Sequence, residues 1–145
     1  MILLLAALLS FTGAAAAQES ASPIVSVSTV EPRGFGYFVG DVLTRDIAVV
    51  VAEPYRLDST SQPAPRRLNY WLDLKSVDVT ESSAGAGRRY RFRLVYQTFY
   101  VPLSASTRPL SGLTLRFSDG DETAAAQVAP FDPVLAPLRD VQPVL

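Results

Sequence analysis

Arg89-Tyr90-Arg91-Phe92-Arg93-Leu94-Val95-Tyr96-Gln97-Thr98-Phe99-Tyr100-Val101 is the stretch that decides the fold. In an extended chain Tyr90, Phe92, Leu94, Tyr96 and Tyr100 share one face, and Arg89, Arg91 and Arg93 share the other. That period of two is the signature of a strand with one wet face. From Val95 the second face turns apolar through Phe99 and Val101, which predicts a strand that becomes buried on both sides toward its end.

The same alternation recurs on either side of this stretch. Leu68, Tyr70, Leu72 and Leu74 alternate with Asn69, Trp71, Asp73 and Lys75, and Val77 and Val79 continue the pattern after a bulge or turn. Leu43, Ile47, Val49 and Val51 share a phase with Arg45, whose charge places it near a sheet margin. Val25 and Val27 alternate with serines up to Glu31-Pro32. Leu113, Leu115 and Phe117, then Ala124, Ala126 and Val128, flank Asp119-Gly120, a hairpin signal. Residues 62–65 and 82–87 combine Pro, Gly and Ser as loops do. No segment sustains a helical period. The expected fold is all-β, an immunoglobulin-like two-sheet β-sandwich spanning residues 18–129.

The ends read differently. Met1 to Leu9 is an uncharged apolar run followed by Ser10-Phe11-Thr12-Gly13 and four alanines, the layout of a secretory signal peptide cut after Ala17. No Lys or Arg precedes Glu19, so either translation starts upstream or the signal is atypical; an uncleaved N-terminal anchor is the competing reading. Residues 130–145 carry Pro130, Pro133, Pro137 and Pro143 and are expected to form an extended tail or linker. The expected location is the periplasm or cell envelope. Membrane attachment would require an anchor beyond Leu145.

Composition narrows the chemistry. The chain has no Cys and no His, so it has no disulfide, thiolate, imidazole base or ordinary zinc, copper or haem ligand set. Carboxylate-only or Ser/Lys catalysis survives that exclusion, and Lys75 has no Ser-x-x-Lys context. Thirteen basic residues against fourteen acidic ones leave no net field to select nucleic acid. The expectation is a protein without enzymatic activity, cofactor or metal, working through a protein partner.

Four clusters bear on that partner. Arg33-Gly34-Phe35-Gly36-Tyr37-Phe38-Val39-Gly40-Asp41 lacks the following helix that a phosphate loop needs. It reads as a bend between sheets, or as an aromatic lip offering Phe35 and Tyr37 to a partner. The Arg89, Arg91, Arg93 row, with Arg66 and Arg67, reads as a solvated face or as a stripe for an acidic partner. Trp71 shares its phase with Asn69 and Asp73, which makes it an interface anchor or a half-buried edge residue. Asp119, Asp121 and Glu122 form a turn, being too few to fill a Ca²⁺ shell alone. The candidate partner-binding residues are therefore Phe35, Tyr37, Trp71, Arg89, Arg91 and Arg93.

Pro32-Arg33-x-Phe35-Gly36-Tyr37-x-x-Gly40-Asp41, Trp71-Leu72-Asp73-Leu74, Tyr90 through Tyr96-Gln97-Thr98-Phe99-Tyr100, and the ending Pro130-Phe131 to Leu138-Arg139-Asp140 together resemble the MxaA family of bacterial methanol-oxidation clusters. The resemblance covers most of the chain after residue 17. It implies an accessory role in assembling periplasmic methanol dehydrogenase, a calcium and PQQ enzyme, or in loading its calcium. It carries no catalytic residues over. A generic envelope interaction module with no link to methanol oxidation is the alternative.

Overall fold

The computed structural model describes residues 21–138; the expected signal peptide and residues 139–145 lie outside them. The strands in chain order are β1 (Ile24–Val30), β2 (Phe35–Tyr37), β3 (Val42–Ala52), β4 (Arg56–Leu57), β5 (Arg66–Arg67), β6 (Leu72–Ala84), β7 (Gly87–Thr98), β8 (Ser106–Thr107), β9 (Leu113–Ser118), β10 (Thr123–Val128) and β11 (Val134–Leu135). Among the described residues the helical content is one three-residue turn, Ser59–Ser61, and no helix is long and apolar enough to cross a membrane. The fold is all-β.

One sheet has the order β1-β3-β7-β6-β5, a second β10-β9-β4, and a small third β2-β11-β8. The first two turn their apolar faces toward a common core. Leu43, Ile47, Val49, Phe92, Leu94 and Leu72 enter it from the five-stranded sheet, and Leu115, Phe117, Ala126 and Val128 from the second. The Tyr90 and Phe117 rings meet there with centroids 5.4 Å apart.

The alternation in β7 is observed as read up to Thr98: Tyr90, Phe92, Leu94 and Tyr96 are buried, while Arg91 and Arg93 are exposed. In β6 the register slips between Leu74 and Ser76, so the inward positions pass from Leu72 and Leu74 to Val77 and Val79. One inserted residue keeps the apolar side chains on the core face, because the side-chain period is two.

Four expectations fail, each for a local reason. Of the residues read as a loop at 82–87, Ser82–Ala84 belong to β6 and Gly87 to β7, and Gly85-Ala86 alone make the turn, with Gly85 at a φ of 60°. β7 stops at Thr98, and its second face never becomes buried: Phe99 and Val101 are exposed, and Tyr100 is partly buried at the margin of the core with its ring edge-on to Tyr70. The alternation read from Leu68 breaks at Asn69, whose Oδ1 accepts hydrogen bonds from the Trp71 and Leu72 amides, both at 3.0 Å. This side-chain turn interrupts the alternation ahead of β6, leaving Tyr70 exposed and Trp71 buried, while Leu72 and Leu74 keep the inward face read for them. Residues 130–138 are extended but are no linker. Leu110 and Phe131 exchange backbone hydrogen bonds, and β11 lies parallel to β2 and antiparallel to β8 with Leu135 fully buried. The prolines flank that two-residue strand, where the missing N–H costs no ladder bond.

Arg45 is fully buried on the core face of β3. Its guanidinium reaches the rim, where Nε and Nη2 donate to the two Glu31 oxygens at 2.7 and 2.6 Å, and Nη2 also donates to the Ala129 carbonyl at 2.8 Å. Nη1 is buried without a partner among the described residues. Removing Glu31 therefore leaves a cation in a dry site with one carbonyl contact. Because Glu31 itself is partly in water, Glu31→Ala is expected to lower stability by about 2–3 kcal/mol. Arg45→Met in the same background should recover most of that in urea melts.

Candidate functional site

Exposed apolar side chains gather at the end of the molecule where β7 stops. The 38–42 segment is fastened there by the Gly40 amide donating to the Thr98 carbonyl (2.7 Å) and the Thr98 amide to the Asp41 carbonyl (3.0 Å); the Thr98 hydroxyl donates to the Phe38 carbonyl (2.7 Å). Gly36 and Gly40 hold φ of 78° and 87°, which side-chain-bearing residues rarely adopt, so the glycine cluster is the bend expected of it. Asp41 clamps the bend by accepting from the Phe38 amide and from Arg33, both at 3.0 Å.

Phe38, Leu103 and Leu138 bound a groove of about 920 Å³, with Ser104, Ala105 and Pro137 between them. Leu103 is fully exposed, at 102% of its reference area, and Phe35 is 73% exposed. Phe38, Val42, Phe99 and Val101 also show substantial apolar surface to water. An apolar surface drawn from three separate chain segments can bind an apolar partner.

The six sequence-derived candidates divide. Phe35 stands at the exposed lip. Tyr37 and Trp71 do not: they are 2% and 3% exposed, so both are core residues and neither is available to a partner. Arg33 stacks over the Tyr37 ring at 4.4 Å, and burial pushes the Tyr37 phenol above its ordinary value. Arg89, Arg91 and Arg93 do share the outer face of the five-stranded sheet, away from the core. Arg93 is neutralised within the fold, donating to both Asp46 oxygens at 2.8 and 3.2 Å, with Asp78 opposite it on β6. Arg91 lies between Ala48 and Thr80, and Arg89 between Val50 and Ser82, with no carboxylate in those register positions. A groove of about 600 Å³ runs across this face between Arg91 and Arg93. Sequence reasoning missed Leu103, Val42 and Leu138 altogether; an isolated apolar residue carries no periodic signal.

The carboxylates of the β9–β10 hairpin serve the turn. Asp119 Oδ1 accepts from the Asp121 and Glu122 amides at 2.9 and 2.8 Å, and Glu122 accepts from the Tyr55 hydroxyl at 3.3 Å. Among the described residues no three His, Cys, Asp or Glu side chains converge as a metal site.

These contacts set a pH response. The hydrogen bond from Arg93 holds Asp46 below its ordinary 3.8, the Glu122 and Asp121 amides lower Asp119, and the Thr60 amide lowers Asp58. A carboxyl group depressed in the folded state stabilises the fold above its unfolded value and loses that contribution as the pH falls through the folded one. Thermal midpoints should be level from pH 7 to about 5 and fall progressively below about 4. Asp46→Asn should shrink the acid-side drop.

Comparison with protein-family models, with curated proteins and with solved structures returns no match to the chain.

Proposed function

We propose that the protein is a non-enzymatic accessory protein of the periplasm or cell envelope, an immunoglobulin-like β-sandwich that holds a protein partner against its apolar end. The observation that carries this reading is the grouping of exposed Phe38, Leu103 and Leu138 around one groove of an otherwise well-packed fold. Aromatic and aliphatic anchors of this kind supply most of the binding energy of an interface. Arg89 and Arg91 lie toward the opposite end of β7 and form no continuous surface with this groove, and Tyr37 and Trp71 are core residues. The long β6–β7 hairpin within a five-stranded sheet supports the immunoglobulin-like assignment.

The resemblance to the MxaA family makes a periplasmic quinoprotein dehydrogenase the partner to test. On this reading calcium belongs to the partner, and the chain itself holds none. Co-purification from a methanol-grown host decides between this partner and a generic envelope role. Leu103→Asp adds a charge at a fully exposed position, so the fold should survive while recovery of the dehydrogenase drops about tenfold, the equivalent of one 1.4 kcal/mol contact. Equal recovery with Leu103→Asp and wild type would remove the apolar end from the interface. Absence of the dehydrogenase from wild-type eluates would leave the generic envelope reading in its place.

A further inference from the structure

We propose that β1 is a self-association edge, along which two copies of this chain pair antiparallel and join their five-stranded sheets across a two-fold axis. β1 is an outer strand whose ladder, among the described residues, runs to β3 alone. Its sequence, Ile-Val-Ser-Val-Ser-Thr-Val, contains no charge and no proline, and five of its seven residues are β-branched. Val25, Val27 and Val30 are 63%, 37% and 69% exposed. An edge of that composition lacks the charges and prolines by which folded proteins prevent strand addition, and its unpaired amides and carbonyls match another extended backbone.

The competing edges of the same sheet are guarded. β5 is two residues long and both are arginine, while β6 beyond its contact with β5 carries Asp78 and Glu81. Of the edges of this sheet, β1 alone is free of charge along its whole length, which is the condition a pairing with its own copy requires. A two-fold contact sets each side chain against one from an identical strand, so a charged edge would meet its own sign.

The bulge between Ile24 and Ser26 twists the start of β1 away, which leaves Ser26–Val30 straight and centres the pairing on Ser28. Ser28 then faces the partner's Ser28, Val27 the partner's Thr29, and Ser26 the partner's Val30. Every pair is uncharged. β10, which runs beside β1 at the sheet margin, is also uncharged from Thr123 to Val128 and would flank the seam.

Sedimentation equilibrium of the purified full chain tests this. A reversible monomer–dimer equilibrium is expected. Ser28→Lys sets two ammonium groups opposite each other at an exposed position and should weaken dimerisation at least tenfold with an unchanged melting curve. Ser82→Glu, which charges the competing β6 edge, should leave it unaltered. Amide hydrogen exchange gives an independent reading: amides within Ser26–Val30 should gain protection as protein concentration rises. A monomer at millimolar concentration, dimerisation indifferent to Ser28→Lys, assembly beyond a dimer, or concentration-independent exchange in β1 would each overturn the proposal.

Discussion

Phe92→Asp is expected to leave the chain unfolded at room temperature. Phe92 is at the centre of β7, between Ile47 on β3 and Val79 on β6, and its side chain is almost wholly enclosed by the core. An aspartate there loses the ring's burial, worth about 3–5 kcal/mol, and must either stay ionised without a partner or take up a proton at further cost. Together these are comparable with the roughly 5–15 kcal/mol that holds a fold of this size. Leu94→Asp should behave the same way. Arg91→Ala, one residue from Phe92 but on the opposite face, should change the unfolding free energy by no more than about 0.5 kcal/mol. Circular dichroism reads both: loss of the β spectrum for Phe92→Asp, and a native one for Arg91→Ala. A folded Phe92→Asp chain would mean that β7 is faced the other way.

Trp71→Ala is expected to cost about 3–5 kcal/mol, the range for emptying a large aromatic site in a close-packed interior. Trp71 is buried behind the Asn69 turn, and its carbonyl accepts the Phe99 amide at 2.8 Å, so the residue ties the entry of β6 to the exit of β7. Urea unfolding should show a lower midpoint with an unchanged slope. This outcome also separates structure from function at the site. Any loss of partner capture by Trp71→Ala should track the unfolded fraction, whereas Leu103→Asp should lose capture while remaining folded.

The alternations in β3, β7 and the second half of β6 were legible because strand geometry sends neighbouring side chains to opposite faces, and burying one face imposes that period on the sequence. The glycine bend and the β9–β10 hairpin were legible because only certain residues tolerate or cap such backbones. Trp71 was misplaced because one hydrogen-bonding side chain, Asn69, makes a turn that interrupts the alternation before β6, and period counting treats that residue as another polar position. The apolar end was hidden for a different reason. Exposure of Phe99, Val101 and Leu103 depends on whether any other segment comes to cover them, and a strand's own pattern reports its two faces but not its neighbours. Likewise the row of three arginines was visible in β7, while the division between a paired Arg93 and an uncovered Arg89 and Arg91 was decided by which residues β3 and β6 place in register beside them. The sequence by itself determined the longer strands β3, β6, β7, β9 and β10 and the face each turns to the core, since those follow from local geometry and burial. The tertiary structure alone decided that Arg45 finds Glu31, that the proline-rich segment closes a third sheet, and that β1 is left at an open edge, because each depends on contacts between distant stretches of chain.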